Sequence, residues 1–370
     1  MKKRGLTAIV MFLVIALCLS ACGSAATGAS SAGTQGSSAA AADDGKVYNL
    51  QWAHSSSAGG DRLSRASTEI IDEITKASNG RLVFTQYPAS QLGAETEELQ
   101  GITLGTVDLA VISTGPVASF FPQIECTAIP YMINQREVGW DVYDSEFGQN
   151  LGKLSESAGW KWLGWAENGL RMVSNSKHEV KTPADMKGLK IRTMENKIHM
   201  AIINDLGASA TPIAFNELYT ALQQGTVDGQ ENGPALTYSM GFYEQLKYMT
   251  YLPHVYDPYI IVMSNKAWDS LPADLQELLQ EYIGKFSDLE RQYNANDDKD
   301  YLQKMEDAGL QVYTPTDAEA QQFVDKTSSV VDTIRKDVGD DLVDQYINAV
   351  NTAKQNVSTS SSSASSSASK

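Results

Sequence analysis

Cysteine is almost absent from this chain: three in 370 residues, at positions 18, 22 and 126. Cys18 lies in an apolar leader and Cys22 just behind it, so Cys126 stands alone in the folded part. Neither an intramolecular disulfide nor a cysteine metal cluster can form there, and Cys126 reads as a small buried hydrophobe. Histidine is scarce too. His54, His178, His199 and His254 show no metal-ligand spacing, so no residue is assigned as a metal ligand. The chain also lacks a GxSxG elbow, a GxxxxGK phosphate loop, an HExxH helix and a GxGxxG dinucleotide turn, and no cofactor is expected. Positive charge is short as well, 29 Lys and Arg against 45 Asp and Glu, for a formal charge of −16. A chain this acidic repels nucleic acid and anionic lipid, so no nucleic-acid partner is expected. An anionic ligand would need a few cations inside a cleft. That is feasible, because a contact pair escapes the screening that acts beyond about 8 Å at physiological salt.

The ends are informative. Lys2, Lys3 and Arg4 precede an apolar run that is too short for the roughly 20 residues of a membrane-spanning helix, which is the pattern of an export signal. The quartet Leu19, Ser20, Ala21, Cys22 resembles a bacterial lipobox. Residues 1–21 therefore read as a lipoprotein signal peptide, and Cys22 as the lipidated first residue of the mature chain. Two acyl chains suffice for stable membrane anchoring. Residues 22–45 are Ser, Ala, Gly and Thr with few larger apolar side chains, a flexible tether. Residues 358–370 form a Ser/Ala tract expected to be a disordered tail.

Between them, with 42% of the chain hydrophobic, there is enough material for one large or two medium cores. Strand and helix patterns alternate as βαβαβ over residues 47–113: apolar runs at 47–53, 82–87 and 107–113, and amphipathic periods from Leu63 to Ile74 and over 94–104. A helix at 136–157 and strands at 160–166, 170–175 and 189–193 follow. Another αβ unit covers 196–227, and a long helix begins after Pro272. Thr316 with Glu319 forms a capping box ahead of a final helical region. Such alternation predicts an α/β fold with helices covering a mostly parallel sheet.

One short run, "ALQQGTVDGQENG" at 221–233, concentrates hydrogen-bonding side chains. Asp228 and Glu231 in it could be a carboxylate pair for hydrolysis, or could order the loop together with Gln230. With "NGLRMVSNS" (168–176), "TPADMKGLKIR" (182–192), "LGASATPIAFNELYTALQQGTVDGQEN" (206–232) and "YEQLKYMTYLPH" (243–254), and with "YPASQLGAETE" and "GTVDLAVIS" upstream, the chain resembles the DctP-type solute-binding proteins of TRAP transporters. The similarity spans about residues 47–351.

The resemblance implies a two-domain clamshell of the periplasmic-binding-protein kind, with crossover strands and a long bridging helix. Its first domain would take 46–168 plus about 258–297, and its second 169–257 plus about 298–351. It implies capture of a small organic acid anion, a sugar acid such as a uronate or a C4-dicarboxylate, and delivery to the integral membrane permease subunits of a TRAP symporter. By motif, Arg192 takes the ligand carboxylate, Arg171 and Asn232 are further polar contacts, and Phe215 packs on the ligand. His54, Ser113, Thr114, Glu167 and Asn168 are further cleft candidates, at or near strand ends. Ser113 stands where the sialate-binding branch carries an acidic residue, which argues against sialate. The competing readings are a secreted carboxylate-processing enzyme using Asp228 or Glu231, and a binding protein for an ABC importer or a sensor.

Overall fold

A computed structural model describes residues 45–367, with side chains to residue 360. The leader, Cys22 and the tether up to residue 44 lie outside the described residues. The βαβαβ opening is present as β1 (Tyr48–His54), α1 (Arg62–Ala77), β2 (Leu82–Tyr87), α2 (Glu95–Leu104) and β3 (Leu109–Ser113). β1 pairs in parallel with β2 and β3. α1 starts where Asp61 accepts from the Leu63 N–H at 2.8 Å, and it buries Leu63, Ala66, Ile70, Ile71 and Ile74 at helical spacing. It packs against a core in which Trp52 meets Phe84 and Phe286 edge-on, ring centres 5.5 and 5.2 Å apart. Such aromatic pairs add about 0.5–1.5 kcal/mol each beyond the area they bury.

α3 (Thr114–Val117), α4 (Arg136–Asp144) and α5 (Glu146–Ser155) follow. The single helix expected at 136–157 is two, because Ser145 is extended at ψ 173°. The break brings Gly148 so close to the Tyr143 carbonyl that a Cβ would lie 2.1 Å from its oxygen. The two strands expected at 160–175 are one, β4 (Trp160–Asn175), bulged between Trp162 and Gly164 and between Glu167 and Gly169. Gly169 takes φ +118°, a conformation that disfavours any side chain.

The rest of the chain supplies β5 (Lys190–Thr193), α6 (Lys197–Asp205), β6 (Ser209–Pro212), α7 (Leu218–Gln223), β7 (Gly229–Asn232), α8 (Pro234–Ser239) and β8 (Tyr248–Thr250). Then come β9 (Val255–Ser264), α9 (Asn265–Ser270), α10 (Ala273–Asp307), β10 (Gln311–Tyr313), α11 (Asp317–Lys326), α12 (Val330–Val338) and α13 (Asp340–Ser367). The strands run β2-β1-β3-β9-β4-β7-β5-β6, with β8 pairing both β4 and β10. β9 is antiparallel to β3 and β4, and β7 is antiparallel to β4. The fold is thus α/β, with parallel pairing toward both ends of a mixed sheet and antiparallel crossing strands at its centre. All ten residues of β9 are buried. The 35-residue α10 packs on α1, β4 and α8.

α13 continues through Ser367, into the tract expected to lack order. Alanine favours helix, and the hydroxyls of Ser358, Thr359 and Ser360 bond back to the carbonyls of Gln355 and Asn356. No helix among the described residues is long and apolar enough to cross a membrane.

Candidate functional site

The ends of β1, β3, β5 and β7 and the bulged middle of β4 converge on one narrow cavity. Ser55, Ser113 and Glu95 line it from the βαβαβ side, and Asn168, Arg171 and Tyr259 from the crossing strands. Arg192, Met194, Phe215, Asn232 and Leu236 complete it. A second, adjoining space shares Glu95, Arg192, Met194 and Phe215. A more open groove over α5 and the start of α13 is lined by Asp340 and Asp341 and has no cationic side chain in its wall.

Arg192, on β5, is 1% exposed. Its Nε donates to the Ile213 carbonyl at 2.8 Å, Nη1 has no partner, and its Cζ sits 5.8 Å from the Phe215 ring centre. Among the described residues no carboxylate oxygen forms an ion pair with it within 4.0 Å. Burial lowers its pKa to about 10; Arg171 pushes the same way, against Glu231 and Glu95.

Arg171, on β4, is engaged quite differently. Nε and Nη2 meet Glu231 Oε2 and Oε1 at 2.5 and 2.8 Å, Nη2 also donates to the Glu231 carbonyl, and Nη1 meets Asp257 Oδ2 at 3.1 Å. Burial opposes its charge, yet Glu231 and Asp257 more than offset that and hold its pKa above the ordinary value. Burial likewise works to raise the Glu231 carboxyl. Arg171 and a 3.2 Å contact with His254 Nε2 prevail, and hold it well below the usual range. His199 Nδ1, at 3.7 Å, is beyond hydrogen-bond distance of it.

The polar run at 229–232 is therefore not a loop. It is β7, four buried residues whose side chains bond inward: Gln230 Nε2 to Ser174 Oγ at 2.8 Å and Asn232 Nδ2 to Gln230 Oε1 at 2.5 Å. Asn232 Oδ1 makes no hydrogen bond among the described residues. The alternative carboxylate pair is not assembled in the cavity. Glu231 is occupied by Arg171, while Asp228 accepts from the Lys190 N–H at 2.9 Å and pairs with Lys177.

Six of the nine expected ligand residues line the cavity: Arg192, Arg171, Asn232, Phe215, Ser113 and Asn168. The other three do not. His54 turns toward α1 and β2, with Nε2 at 2.9 Å from Gln86 Nε2 and 3.4 Å from Ser64 Oγ. Burial lowers its pKa to about 4, with Asp61 opposing. Glu167 accepts from Trp140 Nε1 at 2.8 Å and faces Arg136 at 3.4 Å. The Thr114 N–H and hydroxyl both donate to Asp257 Oδ1, and Asn168 Nδ2 donates to Asp257 Oδ2 at 2.8 Å. Asp257 thus ties Thr114, Asn168 and Arg171 together.

The residues that sequence reasoning passed over are Asp257, Glu95, Ser55, Met194, Leu236 and Tyr259. A lone aspartate in the apolar run "VYDPYIIV" is a legible sign of a buried ionic partner. Glu95 lies inside a quoted motif. It is buried, with Oε1 accepting from the Ser113 N–H at 2.9 Å and Oε2 from the Ser113 hydroxyl at 2.7 Å. Burial raises its pKa, and the two Ser113 bonds oppose that. Two further hydrogen bonds join segments distant in sequence: Asn196 Nδ2 to the Gly115 carbonyl at 3.2 Å, and Ser239 Oγ to Asp61 Oδ2 at 2.8 Å. Among the described residues no group of His, Cys, Asp and Glu is arranged to hold a metal ion.

The profile of bacterial extracellular solute-binding proteins, family 7 (DctP), matches residues 53–337. A solute-binding protein of Verminephrobacter eiseniae is 36% identical over 277 residues, 75% of this chain and 82% of that protein. The sugar acid-binding protein DctPAm of Advenella mimigardefordensis, solved with galactonate, superposes with a TM-score of 0.81 at 26% identity, covering 83% of this chain and 99% of that one. A TRAP periplasmic solute-binding protein of Sulfurospirillum deleyianum, solved with succinate, gives 0.78 at 26% identity, over 82% and 99%. The chain belongs to this family, the DctP-type solute-binding proteins of TRAP transporters.

Proposed function

We propose that this protein is an extracytoplasmic receptor that closes on a small organic acid, binds its carboxylate to Arg192, and passes it unchanged to a TRAP-type membrane symporter. The observation that carries the proposal is the Arg192 guanidinium, buried with Nη1 unpartnered. An uncompensated buried charge is costly. A ligand carboxylate would relieve that cost through two parallel charge-assisted hydrogen bonds, which the planar fork of arginine is shaped to give. Arg171, already neutralised by Glu231 and Asp257, would act as a fixed donor wall, and Asn232 Oδ1 would accept from a ligand hydroxyl. The galactonate and succinate held by related proteins support an organic acid as ligand.

Closure would work through the bulged β4, β9 and α10, which join a lobe built on β1–β3 to one built on β5–β7. Lipidation at Cys22 would keep the receptor near its permease while the tether leaves it free to turn, raising its effective concentration there. No step of this role is catalytic. The test is a thermal-shift screen of the mature protein with sugar acids, C4-dicarboxylates and keto acids, followed by mass spectrometry of the recovered ligand. A ligand at 100 times its Kd stabilises the fold by about 2.7 kcal/mol. Upward shifts with intact ligand are expected. No shift with any carboxylate, or recovery of a converted product, contradicts the proposal.

A further inference from the structure

Resting on the carboxylate-receptor reading, we infer that the site selects hydroxylated monocarboxylates and rejects C4-dicarboxylates, with Glu95 as the discriminating residue. The cavity is bipolar. Arg192 and Glu95 line the same space from different elements and do not form an ion pair. Of the two guanidiniums, Arg171 is already matched by the carboxylates of Glu231 and Asp257, so Arg192 alone is left to receive an anion. A second ligand carboxylate therefore finds no free cation. Instead it meets Glu95, a carboxyl group that lines the same space and whose two oxygens both accept from Ser113.

Lone pairs facing lone pairs repel, whereas a ligand hydroxyl donates to Glu95 directly. The remaining polar groups suit an oxygen-rich neutral chain. Neither Asn232 Oδ1 nor the Tyr259 hydroxyl makes a hydrogen bond among the described residues, and Ser55 Oγ reaches Glu95 only at 3.4 Å. Met194 and Leu236 cover the apolar edge of such a chain.

The experiment is calorimetric titration of the wild-type mature protein, Glu95→Gln and Glu95→Asp with D-galactonate, D-erythronate and succinate, with folding checked by circular dichroism. Wild type is expected to bind at least one of the two hydroxy acids tenfold or more tighter than succinate. Glu95→Gln, which removes the charge at nearly constant shape, should narrow that ratio about tenfold, and Glu95→Asp, which keeps the charge, should preserve most of it. Succinate bound by the wild type as tightly as the hydroxy acids overturns the selectivity inference and leaves the receptor reading intact. An unchanged ratio in folded Glu95→Gln overturns the role of Glu95. Absence of binding to all three overturns both the inference and the reading beneath it for these ligand classes.

Discussion

Arg171 and Glu231 meet side by side, Nε to Oε2 at 2.5 Å and Nη2 to Oε1 at 2.8 Å, with both residues buried. Arg192, in the same cavity, has no such partner. Two arginines that look equivalent in sequence thus have opposite electrostatic standing: one is paired with two buried carboxylates, and the other has none within ion-pair distance among the described residues.

That contrast predicts opposite stability effects. Arg171→Met leaves Glu231 and Asp257 buried without their cation and should cost about 3–5 kcal/mol, the usual result of breaking a buried pair from one side. Arg192→Met removes a buried charge that no direct ion pair among the described residues neutralises, so its stability should be unchanged or higher. Urea unfolding of the two variants without ligand checks both directions.

His54 predicts a pH dependence. Its folded-state pKa of about 4 lies below the ordinary 6.5. Above pH 6.5 it is neutral in both states. As pH falls below 6.5 the unfolded chain takes up a proton that the folded chain refuses, so the stability is lost progressively between pH 6.5 and 4. At 1.36 kcal/mol per unit the full loss is roughly 3 kcal/mol. His54→Gln should flatten that part of the profile. Unfolding free energies of both proteins at pH 7, 5.5 and 4.5 measure the difference; parallel profiles would remove His54 from the account.

Glu98 acts in the opposite sense. Both its oxygens are buried without a hydrogen bond, and burial, with Glu95 adding, raises its pKa to about 9. The folded chain keeps this proton to about pH 9, while the unfolded chain releases it near the ordinary 4.5, so the wild type loses stability as pH rises through that window. Glu98→Gln should therefore gain on the wild type by up to about 1.4 kcal/mol per pH unit across it, as thermal unfolding between pH 5 and 8.5 would show.

Gly115 tests closure. A Cβ there would fall 2.7 Å from Met194 Sδ and 2.8 Å from Met194 Cβ, and the Gly115 carbonyl accepts from Asn196 Nδ2. If the two sides part in the unliganded state, Gly115→Ala obstructs only the closed form. Ligand affinity should then drop about tenfold, near 1.4 kcal/mol, with ligand-free stability unchanged. Loss of stability without a change in affinity would mark a static contact instead.

Much of this is legible in the sequence. The βαβαβ start announces itself because parallel strands alternate with amphipathic helices and glycine stops, and Arg171, Arg192 and Asn232 sit inside long motifs. β9 escaped because all ten of its residues are buried, which leaves no two-residue alternation to read. His54 reads as a cleft residue from its place at a strand end. Trp52 and His54 share a face, however, and that face meets α1 and β2, so Ser55 reaches the cavity instead. Glu95 and Asp257 act through partners far apart in sequence, Ser113 and Arg171, which spacing cannot reveal.

The most direct measurement of the central claim is the affinity of Arg192→Lys for the best organic acid ligand, set against the wild type with the fold verified. Lysine keeps the charge but not the two-pronged donor. A loss of about a hundredfold, near 2.7 kcal/mol, is expected with the fold intact; an unchanged Kd would rule out Arg192 as the carboxylate anchor.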